Sequence, residues 1–207
     1  MAGNYMCKVT VNGCTSLSDT TIVLIQGVMT DPKDGHVYKT IKIGNQTWMA
    51  ENFQWQPSSD YADYKICGGT PALGLIYGVL YNHKLAIKCD DGVTGWRLPT
   101  KADWDALVAY LGGYEVAGAK MKEAGTTHWV TPNSGTSNSS GFTAYGSGYF
   151  DVVNSLGYQD LKNRTYYWSQ TPYTSYYYIM ILRVDDMWSH LEYGEASNYY
   201  SVRLIKI

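Results

Sequence analysis

Long apolar runs are missing from this chain: none reaches the ~20 residues that a helix needs to cross a bilayer. The N-terminus MAGNYMCKVTV also lacks the charged-then-apolar order of a secretory signal. Charge is scarce, at 16% of residues, and the net value of -2 provides neither a basic stripe for nucleic acid nor a polybasic patch for an anionic membrane. The four cysteines, Cys7, Cys14, Cys67 and Cys89, form no CxxC pair and have no histidines at zinc spacing, so no metal site is expected from them. Cys67 and Cys89 could be bridged in an exported chain, a question that spacing alone does not decide. No GxSxG places a nucleophile beside a base, and the glycine-rich stretches fit neither the P-loop nor GxGxxG. The sequence therefore points away from an enzyme, and no catalytic residue, metal ligand or cofactor is assigned.

Tyrosine and turn-forming residues are abundant instead. The 207 residues, enough for one domain with a small appendage, include 21 glycines and 20 tyrosines. Nine of the tyrosines lie between Tyr166 and Tyr200, in company with Trp168, Trp188, His190, Asn198 and several serines. Tyrosine supplies large amphipathic contact area at low rotamer-entropy cost, so this mixture resembles a contact surface. Sheets also favour tyrosine and tryptophan, and alternation separates the two readings in part. Tyr178, Met180, Leu182 and Val184 share one face, and Ile179, Ile181, Arg183 and Asp185 the other. The second face mixes apolar and charged residues, unlike either a core or a solvated face, and is expected to be an exposed recognition surface.

In chain order, Cys7, Val9 and Val11 alternate up to a turn at Asn12-Gly13, and Thr21, Val23 and Ile25 alternate again, so residues 1–29 read as a β-hairpin appendage. Residues 30–35 read as a turn-rich linker to a main domain over 36–207. Val37, Ile41 and Ile43 predict its first strand, Gly44-Asn45 a turn, and Thr47 to Phe53 a second strand. A short helix is predicted from about Tyr81. His83 beside it has no partner histidine at i+3 or i+4 and is given no ligand role. Thr100 and Asp103 form a capping box before the apolar stripe Trp104, Leu107, Val108 and Leu111, and Gly112-Gly113 ends that helix. A second helix is predicted over Val116 to Ala124. Residues 126–165 read as a long ordered loop pinned by Trp129, Phe142, Tyr145, Tyr149 and Phe150. Strands follow at Thr165 to Ser169, Tyr177 to Val184 and Tyr200 to Ile207, the last expected to pair with the first strand around Val37 to Ile43.

These segments, in order VYKTIKIGNQTWMAENF, YGVLYNHKLA, GWRLPTKADWDALVAYLGG, AGAKMKEAG, GFTAYGSGYFD, YYWSQTPY and YYSVRLIKI, resemble the bacterial paralogous domain first named from Fibrobacter succinogenes. The resemblance covers about residues 36 to 207. It implies an α+β architecture of C-type lectin fold, in the branch shared with formylglycine-generating enzymes, with two helices, short antiparallel strands, long ordered loops and paired N- and C-terminal strands. The N-terminal pattern YxCxVxVNGCxSxSDTxxVxI is similar to the last two strands of an immunoglobulin-like domain. Many relatives are variable proteins of diversity-generating retroelements, and YWSxTP followed by SVR is how their variable regions read, here about residues 166–203.

By that resemblance the scaffold is Trp168, Ser169, Pro172, Tyr178, Met180, Leu182, Met187, Ser201, Val202 and Arg203. The implied ligand-facing set is Tyr173, Tyr176, Ile179, Ile181, Arg183, Asp186, Trp188, His190, Tyr193, Ser197, Asn198 and Tyr199. Trp188, Glu192 and Glu195 depart from the pattern, since adenine mutation of an Asn codon yields none of them. The calcium-binding triplets of sugar-binding C-type lectins are missing, and Asp185, Asp186, Glu192 and Glu195 lack the spacing of a calcium loop. The cysteine pair of formylglycine-generating enzymes has no counterpart near the C-terminus. The implied partner is a protein or another cell-surface ligand, a glycan included, with neither nucleic acid nor membrane insertion expected. The implied location is extracellular, on a bacterial surface or a phage virion, with any signal or upstream domain outside this stretch. A fixed carbohydrate-binding adhesin and a structural surface protein that assembles through its aromatic face remain the alternatives.

Overall fold

A computed structural model describes residues 26–58 and 62–207 with their side chains and, before them, the backbone of four strands. These are β1 (Gly3–Tyr5), β2 (Lys8–Val11), β3 (Cys14–Leu17) and β4 (Thr21–Val23). β2 pairs antiparallel with β3, Val11 opposite Cys14, and β4 returns to pair with β1. The sequence reading instead joined Val9 and Val11 to the strand at Thr21. Cys7 and the Asn12-Gly13 turn lie outside the described residues.

A five-stranded sheet follows. β5 (Gln26–Thr30) pairs with β6 (Val37–Ile43), which pairs with β7 (Gln46–Met49) across the turn at Gly44-Asn45. The stretch read as a linker is thus the turn between two paired strands. The Asp31 carboxylate accepts from the Lys33 amide at 2.9 Å, and the Gly35 amide donates to the Asp31 carbonyl at 2.8 Å. The sheet is completed by β10 (Trp96–Arg97) and β17 (Ile205–Lys206), in the order β10-β17-β7-β6-β5. The C-terminal strand therefore sits beside the second strand of the hairpin, Ile205 opposite Trp48, and not beside the first as expected. β5 already occupies the free edge of β6.

The second sheet contains β8 (Tyr64–Ile66), β9 (Val79–Tyr81), β11 (Ser147–Asp151), β12 (Gly157–Leu161), β13 (Arg164–Tyr173), β14 (Tyr176–Arg183), β15 (Ser189–Glu195) and β16 (Tyr200–Ser201). β13 has β14 along one edge; on the other it meets β11 at Thr165 and β16 at Tyr167, both in parallel. Among the described residues β15 pairs with β14 alone. Among the described residues there are four α-helices, where the resemblance implies two and the sequence pattern three: α1 (Pro71–Tyr77), not predicted, and α2 (His83–Ala86), α3 (Lys101–Tyr110) and α4 (Tyr114–Met121). The signal for α1 is Thr70-Pro71, a side-chain cap followed by proline at the first helical position. α3 begins in the predicted capping box, reinforced by Arg97, which clamps the Asp103 carboxylate at 2.6 and 2.9 Å. α4 stops before Lys122, which leaves the helix to bridge Ala144. Among the described residues no helix is long and apolar enough to cross a membrane.

Two apolar clusters lie on opposite faces of β13 and β14. Tyr166, Trp168, Ile179 and Ile181 pack with Phe53, Tyr81 and Tyr200 on one side. Tyr167, Met180 and Leu182 pack with Trp48, Trp104, Trp129 and Phe142 on the other. Trp129 and Phe142 hold the first part of the stretch read as a loop over 126–165, with Trp129 Nε1 donating to the Ala144 carbonyl at 2.9 Å, but its second part is not loop: β11 and β12 pair there, and Tyr149 and Phe150 are strand residues. Cys67 and Cys89 are both buried free thiols, so no bridge joins them.

Arg203 interrupts the last strand and ties these parts together. Its guanidinium is 1% exposed. Nε donates to Asn52 Oδ1 at 2.9 Å, Nη2 to the Thr143 carbonyl at 2.9 Å, and Nη1 to the carbonyls of Met49 and Phe142. The rings of Phe142 and Tyr167 lie 4.4 and 5.4 Å from its centre. Arg203→Met would leave those oxygens buried without a donor, and is expected to cost about 3 kcal/mol. Urea unfolding measures the loss; a change under about 1 kcal/mol would mean that water reaches the carbonyls.

Candidate binding surface

The β13–β14 hairpin extends past its buried middle, and at its tip the side chains emerge. The register shifts between Trp168 and Pro172, after which Pro172 faces Tyr177 and Tyr173 faces Tyr176. Tyr173 stacks on Tyr193 of β15 with ring centres 4.7 Å apart, and stands edge-on to Tyr178 at 5.4 Å. Tyr176 lies 5.6 Å from Tyr193. The Lys101 ammonium sits 5.5 Å from the Tyr178 ring. Tyr173 and Tyr193 are 41% and 55% exposed, so this tyrosine cluster is a surface and not a core.

A second group adjoins it along β15. Trp188, 46% exposed, stacks on His190 at 6.1 Å. Between this pair and the start of the helices runs an open groove of about 410 Å³, lined among others by Lys101, Tyr114, Tyr178, Trp188, His190 and Glu192. Asp186 orders the approach: one carboxylate oxygen accepts from the Trp188 amide at 2.9 Å and the other meets His190 Nε2 at 2.9 Å. Arg183, half-buried, pairs with Glu192 at 2.8 Å, and Ser197 is exposed.

Four residues of the implied ligand-facing set are withdrawn from solvent. Ile179 and Ile181 are 3% and 4% exposed, because they lie beside their cross-strand partners Trp168 and Tyr166 in a buried cluster that also contains Phe53, Tyr81 and Tyr200. The mixed face of β14 is therefore a buried middle with a polar end, and its charges lie only at the end. Asn198 is buried with its Oδ1 accepting from the Val152 and Val153 amides at 2.9 and 3.3 Å. Tyr199 is also buried, exchanging main-chain hydrogen bonds with Phe150 and donating its hydroxyl to the Ala62 carbonyl. Conversely, Pro172, Tyr178 and Met187, placed in the scaffold by resemblance, belong to the surface, Tyr178 being half-buried and the other two exposed. Lys101 and Tyr114 were not singled out in the sequence, since they reach the groove from helices about 80 positions away in the chain.

Three buried groups support the surface. Lys122 directs its ammonium to the Arg183 and Asp186 carbonyls at 2.5 and 2.7 Å, and burial draws its pKa down to about 8. Gly118 lets α4 approach: a Cβ there would come 1.9 Å from the Trp188 carbonyl oxygen. His83, buried, stacks on Tyr177 at 3.3 Å and stands edge-on to Trp168 at 5.0 Å, with Nε2 at 3.2 Å from the Ser169 carbonyl. It is a structural histidine. Burial lowers its pKa to about 4, so the folded protein keeps it neutral while the unfolded chain takes up a proton near pH 6.5. Its contribution is present above pH ~6.5 and lost as the pH falls through about 4. Thermal unfolding from pH 7 to pH 4 should show this loss, and His83→Phe should flatten the slope; an unchanged slope would remove His83 as its source.

The family model of the Fibrobacter succinogenes major domain matches residues 41–206. No curated protein and no solved structure matches the chain. The match spans both sheets from β6 onwards, including Trp48, the α3 capping box, the Tyr166–Trp168 segment and Arg203. The chain belongs to the Fibrobacter succinogenes major domain family.

Proposed function

We propose that this domain is a non-catalytic binding module of C-type lectin fold, displaying a variable contact surface that runs from the tip of the β13–β14 hairpin along β15 to Trp188. The observation that carries the proposal is the exposed set Tyr173, Tyr193 and Trp188, standing at and beside β13 and β14, whose middles are buried on both faces. Aromatic anchors among adaptable polar groups are what protein-binding surfaces use, and a rigid base limits the entropy lost on contact. Tyr176, Arg183, Asp186, His190 and Ser197 supply the polar part. The ligand is a protein or another cell-surface molecule, met outside the cell on a bacterial surface or a virion. Diversification by a retroelement would act on this surface and spare Ile179 and Ile181.

Substitution separates surface from core. Serine at Tyr173, Trp188 or Tyr193 should change stability by no more than about 1 kcal/mol, whereas Ile179→Ala or Ile181→Ala should cost about 2–4 kcal/mol. Chemical denaturation compares them directly. If the tyrosine variants unfold like the isoleucine ones, the surface is core and the reading fails. A library randomised at Tyr173, Tyr176, Trp188, His190, Tyr193 and Ser197 should stay folded and yield binders to a chosen target protein. In binders that keep a wild-type anchor, alanine there should weaken binding about 30-fold. Neighbouring DNA carrying a reverse transcriptase and an adenine-rich near copy of the 3′ coding sequence would support diversification; its absence would leave a fixed surface.

Stacked exposed tyrosines also favour a second reading, a carbohydrate-binding adhesin that stacks sugar rings on Tyr173 and Tyr193. A glycan array decides between them. One consistent glycan preference, lost in Tyr193→Ser, would favour the adhesin.

A further inference from the structure

The connection between β14 and β15, residues 184–188, brings Asp186 and Trp188 to the surface, and its main chain is gripped by residues from other parts of the chain. The Arg183 and Asp186 carbonyls accept from Lys122 Nζ at 2.5 and 2.7 Å. The Val184 carbonyl accepts from the Ser134 amide and the Met187 carbonyl from the Ala119 amide, each at 2.9 Å. The Val184 amide donates to the Asn163 carbonyl at 2.9 Å. We propose that Lys122 is a positioning residue of the binding surface, placing Asp186 and Trp188 through the main chain of this connection.

Lys122 differs from the other grips in its reach. The Ser134 and Ala119 amides each take one carbonyl, whereas one ammonium ties the last residue of β14 to a residue three positions on. A charged donor makes the stronger bond. Lys122 is 0% exposed, so no water stands ready to replace it. Its own place is fixed independently of the connection: its amide donates to the Gly118 carbonyl at 2.9 Å, it bridges Ala144, and the Trp129 ring lies 5.5 Å from the ammonium.

The rival for the same task is the Asp186 carboxylate, which accepts from the Trp188 amide and meets His190. Those bonds are local, and the carboxylate side chain is 29% exposed, so water can take over from it at little cost. Buried carbonyls that lose an ammonium have no such substitute. The connection is therefore shaped by Lys122 and its neighbours more than by Asp186. A shift of the connection would carry Trp188 with it, while Tyr173 and Tyr193 stand on the paired strands beyond.

Hydrogen exchange on the intact, ligand-free domain, read by NMR, compares the wild type with Lys122→Met and Asp186→Ala. The Ala119, Ser134 and Val184 amides report on the connection, and the Ile179 and Ile181 amides on the buried strand. In Lys122→Met the first group should exchange about tenfold faster relative to the second. A general loss of stability would move both groups together. Asp186→Ala should keep their ratio within about twofold and speed only the Trp188 amide. The proposal is overturned if Lys122→Met leaves the ratio unchanged or if Asp186→Ala raises it as much. Should Lys122→Met not fold, the Asp186→Ala result decides alone: an unmoved connection supports the proposal and a loosened one overturns it.

A second arm rests on the binding reading above. Among library binders that retain them, those depending on Trp188 should weaken about tenfold in Lys122→Met, and those depending on Tyr173 and Tyr193 no more than about twofold. Equal losses would count against positioning. A library without any binder would sink the binding reading itself and leave the exchange result standing.

Discussion

The burial of β13 and β14 on both faces is the constraint on which the rest of the domain depends. A strand with one wet face needs one cluster; these two need one on each side, and the chain supplies them from distant segments. Phe53, Tyr81 and Tyr200 close one face, and Trp48, Trp104, Trp129 and Phe142 the other. The second layer requires the long loop after α4 to fold inward, since Trp129 and Phe142 both lie on it. A loop rich in Gly, Ser and Asn lacks the periodic apolar surface to do so by itself, and a few large aromatic side chains fix it instead.

That constraint also explains which parts were legible in the sequence. The α3 cap, its apolar stripe, the turn at Gly44-Asn45 and the strands at Thr165 and Tyr177 follow from local chemistry and appear as read. Pairing partners do not follow from local chemistry. The C-terminal strand joins β7 because β5 holds the other edge of β6, a fact visible only once residues 26–30 are seen as a strand. At the surface, Tyr173, Tyr193 and Trp188 were recognisable by type and position. Ile179 and Ile181 were misplaced because alternation gives two faces to a strand without saying that each is covered. Arg183 and Asp185 mark that face as open by their charge alone, yet Arg183 is the last residue of β14 and Asp185 lies beyond it, where charge is tolerated.

Arg203 illustrates the same limit from the other side. Its position in SVR was read as scaffold, but nothing in the sequence tells that its guanidinium would be buried on main-chain oxygens from two remote loops. Such an arrangement replaces water's hydrogen bonds without cancelling the charge. One residue thereby fastens the hairpin segment at Met49 and Asn52 to the loop at Phe142 and Thr143.

The close approach at Gly118 has a consequence for self-association. β15 is the outermost strand beside β14, and an outer strand with free main-chain groups is a template on which other chains can pair. α4 stands at the head of that strand, its Ala119 amide bonded to the Met187 carbonyl at 2.9 Å and its Gly118 seated on Trp188. The helix stoppers the strand at one end, while His190, Glu192 and Glu195 place polar side chains along the remainder. The exposed tyrosines and tryptophan thus lie beside a strand whose head is covered by a helix, and one missing Cβ is what lets that helix lie so close.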